Sequence, residues 1–183
     1  GTTAVLVDQS TTGGLLLHGS FGTLTISNGL TDTLDAATAI ATLNLTNSTL
    51  ALDGKVLTLS TSIVGGVAAT SIINCGGAGY IAVTTGTPTI SNVKIIGATD
   101  SAIQVSGGSL TVTSSTFSGN SSATDGAAIR FNSTSGTLSL TGSTFISNTA
   151  TRNGGAVYIN ASTATISNCS FGANGTPNSA ACG

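Results

Sequence analysis

The chain has 183 residues, of which only 5% are Asp, Glu, Lys or Arg, and its formal net charge is −2. Globular proteins average about 25% charged residues, so hydroxyls and amides must wet this surface. Four basic residues cannot neutralise a run of phosphates or dock on an anionic membrane, which excludes nucleic-acid partners and polybasic membrane binding. A hydrophobic content of 39% argues against disorder, and no apolar run approaches the roughly 20 residues of a membrane-spanning helix.

The chain opens Gly-Thr-Thr, without Met or a basic leader, as expected of a processed mature protein or an excised fragment. A short apolar strand follows at Thr3-Ala4-Val5-Leu6-Val7. Thr25-Ile26-Ser27-Asn28 aligns with Thr89-Ile90-Ser91-Asn92. Residues 32–40 read as a short helix capped by Asp32, or as a loop. Asn44-Leu45-Thr46-Asn47-Ser48-Thr49-Leu50 superposes without gaps on residues 111–117. Residues 51–78 fit poorly, although Thr58-Leu59-Ser60 has the right pattern.

From residue 79 the chain repeats openly. Ser115-Thr116-Phe117-Ser118-Gly119-Asn120, Ser143-Thr144-Phe145-Ile146-Ser147-Asn148 and Cys169-Ser170-Phe171-Gly172-Ala173-Asn174 end alike. Ile95, Phe117, Phe145 and Phe171 follow one another at 22, 28 and 26 residues. Each coil carries an earlier apolar pair: Ile81/Val83, Ile103/Val105, Ile129/Phe131 and Val157/Ile159. Between pair and Phe lies a third alternating stretch, centred on Ile90, Val112, Leu140 or Ile166. A period of two inside each stretch is strand periodicity. Three short strands per coil, with Gly and Asn between them, predict a single-stranded parallel β-solenoid of about seven coils. The expected organisation is one all-β domain over 1–183, with irregular coils to 78, regular repeats over 79–175 and a tail over 176–183. Phe117, Phe145 and Phe171 should fill the axis. Asn120, Asn148 and Asn174 should sit at a turn that tolerates left-handed geometry, and could form a hydrogen-bonded ladder.

At these residues the chain resembles the chlamydial polymorphic outer-membrane proteins and related autotransporter passengers. The shared motifs are Phe-x-x-Asn, at Phe117/Asn120, Phe145/Asn148 and Phe171/Asn174, and Gly154-Gly155-Ala156-Val157, nearly matched by Gly126-Ala127-Ala128-Ile129. The resemblance covers residues 80–175 and implies a right-handed β-helix displayed outside the cell, often adhesive.

Chemical candidates are few. Hydrolysis of a glycosidic bond usually needs two carboxyls flanking it, and only Asp100 and Asp125 lie one coil apart in the same turn region. The sole histidine, His18, is far from them in sequence. Asp53-Gly54 and Asp125-Gly126 read as turn dipeptides. The Asp residues are scattered, so no metal site or cofactor is expected, and the chain is not expected to be an enzyme. Cys75, Cys169 and Cys182 form an odd set. Cys169–Cys182 is feasible as a disulfide over the last coil, the alternative being two buried free thiols. Seven Asn-x-Ser/Thr sequons occur, and Asn132 and Asn160 are the best glycan acceptors because each follows an apolar strand at a corner.

Outward hydroxyls form two columns, Thr89/Thr111/Ser139/Thr165 and Ser91/Thr113/Thr141/Ser167. Ice-binding β-solenoids use such arrays. Here Ser interrupts Thr at three of the eight positions, and Asn44 is read as breaking the array earlier. Insertions around residues 121–125 and 149–153 would carry any ligand contact, or are simply tolerated. Missing polar caps at the ends leave strand edges open to another chain, and Ala4, Val5, Leu6 and Val7 form the candidate assembly strand. The expected function is therefore an extracellular or cell-surface structural protein that self-assembles head-to-tail into a filament or sheath. The alternative is an adhesin passenger segment with host or surface ligands, and ice binding and polysaccharide chemistry rank below both.

Overall fold

The computed structural model describes residues 16–27, 29–160 and 163–175, together with the backbone of Val5–Asp8. Every regular element among them is a strand, and all strand-to-strand pairings are parallel except an isolated antiparallel bridge between Asp100 and Ser122. The strands wind into three faces. Face A holds residues 19–21, 38–40 and 56–59, then Tyr80–Val83, Ile103–Val105, Ile129–Phe131 and Val157–Ile159. Face B holds Val5–Asp8, residues 23–26, 42–45 and 62–65, then Thr89–Ser91, Leu110–Thr113, Thr137–Thr141 and Thr163–Ser167. Face C holds residues 16–17 and 31–34, then Thr49–Ala51, Ile72–Gly77, Lys94–Ala98, Thr116–Ser118, Thr144–Ile146 and Ser170–Gly172. Seven complete A-B-C turns thus follow an initial rung on faces B and C.

Period-2 alternation makes this work, because each strand sends one set of side chains inward and the other to solvent. The inward rows are fully buried: Leu24, Leu43, Ile63, Ile90, Val112 and Leu140 on face B, and Leu50, Ile73, Ile95, Phe117 and Phe145 on face C. At roughly 1.5–3 kcal/mol for each large apolar side chain buried, these rows supply the main driving force for stacking. The phenylalanines also stack ring on ring, with centroids 4.9 and 4.8 Å apart and planes within 6°.

Three expectations from the sequence need correction. Residues 32–40 are neither helix nor loop but part of one 15-residue strand, Thr31–Leu45. The alanines there favour a helix locally. However, this strand has neighbours on both edges, and Leu34 and Ile40 point into the core. Tertiary pairing overrides propensity, and Asp32 is buried in the inward row of face C, above Leu50.

The second correction is one of register. Leu43, not Leu45, lies in the row of Val112, and Leu24, not Ile26, lies in the row of Ile90. Both members of each pair are buried, so the pattern alone offers two inward candidates. The early coils simply run two residues further before turning. The run shortens at Gly65, where an added Cβ would lie 2.0 Å from the Asn92 carbonyl oxygen. Position 65 must be Gly for the next coil's corner to close over it.

The third concerns the turn after Phe. Asn120, Asn148 and Asn174 do not take the left-handed conformation. The residue before each does: Gly119, Ser147 and Ala173 have φ of 65°, 55° and 52°. The Asn itself is needed inside, for its amide.

The first coils are the shortest. Successive face A residues lie 19, 19, 24, 22, 26 and 28 residues apart from Gly19 to Val157. Register shifts at Leu17/Gly19 and Ile40/Thr42 let continuous strands bend around the corner between faces.

Candidate functional surface

Two buried polar ladders fix the corners. At the corner between faces C and A, Asn148 Nδ2 donates to Asn174 Oδ1 (3.0 Å) and to the Phe117 carbonyl (3.0 Å). Asn120 Nδ2 donates in the same way to Asn148 Oδ1 (3.0 Å) and to the Ile95 carbonyl (3.1 Å). The backbone N–H of Ala98 and of Asn120 donates to the amide oxygen one coil on, at 3.1 and 3.2 Å. Each Asn therefore satisfies donors and acceptors that burial would otherwise leave costly. At the corner between faces B and C, sequence reading missed a second ladder. Ser115 Oγ donates to the Thr113 carbonyl and accepts from the Val93 N–H, and Ser143 Oγ donates to the Thr141 carbonyl and accepts from the Ser115 N–H. Cys169 continues it, its thiol donating to the Ser167 carbonyl at 3.4 Å. The signal was the recurring Ser/Cys two places before each Phe.

The two insertions stack on one another. Ser121–Ser122 pairs in parallel with Thr149–Ala150, which makes a small second sheet at the edge of the solenoid. Two charge clamps hold this ledge. Asp125, 9% exposed, accepts from Arg152 Nη2 (2.9 Å), Asn153 N–H (3.1 Å) and Asn153 Nδ2 (2.8 Å). Arg130 donates to Gln104 Oε1 (2.6 Å) and Thr124 Oγ1 (3.0 Å), with Asp100 Oδ1 at 3.7 Å. Both clamps bridge successive coils. Gly126 and Gly154 start the return to face A with φ of 59° and 56°, and a Cβ on either would lie 2.2 Å from a carbonyl oxygen of Ile129 or Val157. This is the physical content of the Gly-x-Ala motif.

The two candidate carboxylates therefore sit on one ledge, each beside its own guanidinium. Asp125 is committed to holding Arg152 and Asn153 in place. His18 is elsewhere, its Nδ1 3.1 Å from Asp35 Oδ1 on the exposed surface of the first coils. Among the described residues no three His, Cys, Asp or Glu side chains gather as metal ligands. Cys75 is buried in the core, and burial pushes its thiol up to about 12, well above the reach of neutral-pH chemistry. The Cys169–Cys182 pairing lies outside the described residues because of Cys182.

Of the sequon asparagines, Asn132 and Asn160 are exposed at equivalent corners, following Phe131 and Ile159. Asn120 and Asn174 are engaged in the ladder. Ala4 lies outside the described residues, and Val5–Asp8 forms the outermost rung of face B against residues 23–26. The corrected register also lengthens the hydroxyl array. Thr23, Thr42, Ser62, Thr89, Thr111, Ser139 and Thr165 make one unbroken row. Asn44 and Val64 interrupt only the second row.

The far end of the solenoid differs from its middle. Ile166 and Phe171 continue the inward rows yet are 44% and 42% exposed. Comparison with curated proteins and with solved structures returns no match. The family model described as a right handed beta helix region matches residues 57–171. That span covers most of the chain, including the serine ladder, the phenylalanine stack, the ledge and the asparagine ladder up to Asn148. The chain belongs to the right-handed β-helix family.

Proposed function

We propose that this protein is an extracellular, non-catalytic structural element whose solenoid is extended end to end by further copies of itself. The observation that carries this reading is the open last rung. Ile166 and Phe171 stand where every earlier row has a covering coil, and one face of the Phe171 ring has no stacking partner among the described residues. The near absence of charge supports it, because like charges repeated every ~4.8 Å would oppose stacking. Paired Asp100/Arg130 and Asp125/Arg152 keep the ledge close to neutral as well.

Negative-stain electron microscopy and light scattering of the purified chain test this. Rods that lengthen with concentration, and that Phe171→Asp shortens to single copies, are the expected result. A monodisperse monomer across pH and salt would sink it.

A second reading, a passenger segment of an autotransporter-like adhesin, is favoured by the ledge. There the open rung is covered by the next coil of a longer chain, and the clamped loops at 121–125 and 149–153 present a rigid edge to a surface ligand. Binding to host-cell or abiotic surfaces that is lost on deleting residues 121–124 would select it.

A further inference from the structure

The two ends of the solenoid are complementary in register as well as open among the described residues. Face B begins with Val5–Asp8 and ends with Thr163–Ser167, and among the described residues each pairs with a strand on one side only. Six large apolar side chains are exposed on the described surface, and they are not scattered evenly. Leu16 (64%) lies on the first rung of face C, Ile166 and Phe171 lie on the last rungs, and Ile146 (41%) stands one rung earlier beside Gly172. Gly172 leaves Ile146 open, since even an added Cβ there would only just reach its side chain, at 4.0 Å.

Building on the end-to-end reading above, we propose that the joint is a parallel rung on face B. Val5–Asp8 of an incoming second copy pairs along Thr163–Ser167, with Val5 opposite Thr165, Leu6 opposite Ile166 and Val7 opposite Ser167. The internal rows dictate this register. Val5 already shares the row of Thr23, which runs through to Thr165, and Leu6 shares the row of Leu24, which runs through to Ile166. The joint therefore repeats the rung-on-rung contact that the chain makes internally seven times. On face C the same placement sets the incoming Leu16 over Gly172, where it covers Ile146. Because the two edges are different surfaces of one chain, the contact is heterologous and does not close, so it yields a directional filament.

Disulfide trapping tests the register. Neighbouring parallel strands lie about 4.8 Å apart, inside the Cα separation a disulfide accepts, about 4.4–6.8 Å. Val5→Cys and Thr165→Cys are placed together in the full chain, with Cys169→Ser and Cys182→Ser removing the other thiols that could compete. Within one copy these two positions are seven rungs apart and cannot meet. Mild oxidation should give a ladder of covalent multimers on a non-reducing denaturing gel. The shifted pair Val5→Cys with Thr163→Cys should give at least tenfold less. Filaments by electron microscopy with equal trapping in both pairs, or none in either, would overturn the register and leave end-to-end assembly standing. Monomers by light scattering, with no multimers trapped, would overturn both.

Discussion

The first three turns and the last three solve one problem in two ways. Both must bend a chain around three corners and leave each coil ready to be covered. The early coils use continuous strands of 11, 15 and 10 residues that carry Leu and Ile around the corner. The later coils break into three short strands, and they hold the corner between faces C and A with an Asn ladder and the axis with stacked Phe. Any aliphatic residue serves an aliphatic corner, so the early coils drift in sequence. A ladder works only if the same side chain recurs at the same place, so the later coils repeat visibly. Sequence repetition here reports the mechanism of the corner, not the regularity of the fold.

The largest effect should separate the two mechanisms directly. Phe145 has a ring stacked on each side, so Phe145→Ala opens a cavity in the middle of the stack and should cost about 3–5 kcal/mol by urea unfolding. Leu50→Ala, in the same row of an early coil, should cost about 2–4 kcal/mol, since no ring stack is lost. Equal costs would mean that the aromatic stack adds nothing beyond burial.

The ladder itself comes next. Asn148→Ala removes the amide oxygen that receives the Asn120 N–H and Nδ2, and the amide nitrogen that serves the Phe117 carbonyl. Buried groups are then left unpaired, at about 1–3 kcal/mol each, so a loss of about 2–4 kcal/mol is expected. Asn148→Asp should not rescue it, because the carboxylate lacks the donor that Phe117 and Asn174 require. A loss below about 1 kcal/mol would show that water replaces the ladder.

These comparisons also explain what could be read from sequence. The three faces, the inward rows from Ile81 onward and the recurring Phe and Asn positions are all visible there, because strict side-chain demands leave strict spacing. The two-residue register of the early coils was not, because Leu24 and Ile26, or Leu43 and Leu45, are equally good inward residues until their partners are known. The strand over 32–40 was hidden by its alanines. The ledge was legible only as two insertions of equal length. That they pair with each other, and that Arg152 and Asn153 reach back to Asp125, depends on coil stacking that spacing alone does not reveal.

At the junction of the two regions sits Cys75. Its folded-state value, pushed up to about 12 by burial, exceeds its ordinary value of 9.0. The unfolded chain therefore loses its thiol proton first. This site is neutral to stability below about pH 9, and stability falls as pH rises from 9 toward 12. The slope is at most about 1.4 kcal/mol per pH unit, or roughly 1–1.5 kcal/mol lost by pH 10. Cys75→Ala should lower stability at pH 7 by leaving a small cavity, yet it should flatten the alkaline slope. An unchanged slope would mean that the thiol reaches solvent in the folded state.

The smallest effect is the sharpest test of how the later corners are made. Left-handed backbone precedes each ladder Asn, and the three coils fill it with Gly119, Ser147 and Ala173. A non-glycine residue there costs about 1–2 kcal/mol, partly offset by the greater entropy that glycine loses on folding, about 0.5–1 kcal/mol. Ser147→Gly should therefore stabilise the protein by about 0.5–1 kcal/mol, and Gly119→Ala should destabilise it by a similar amount, since an added Cβ at 119 meets nothing within 4 Å and only the backbone strain is felt. The same substitution at Ser118, one residue earlier in a face C strand with ordinary extended backbone, should cost stability. If Ser147→Gly and Ser118→Gly moved the urea midpoint in the same direction, the corner would be held by its ladder alone and the left-handed residue would be incidental to it.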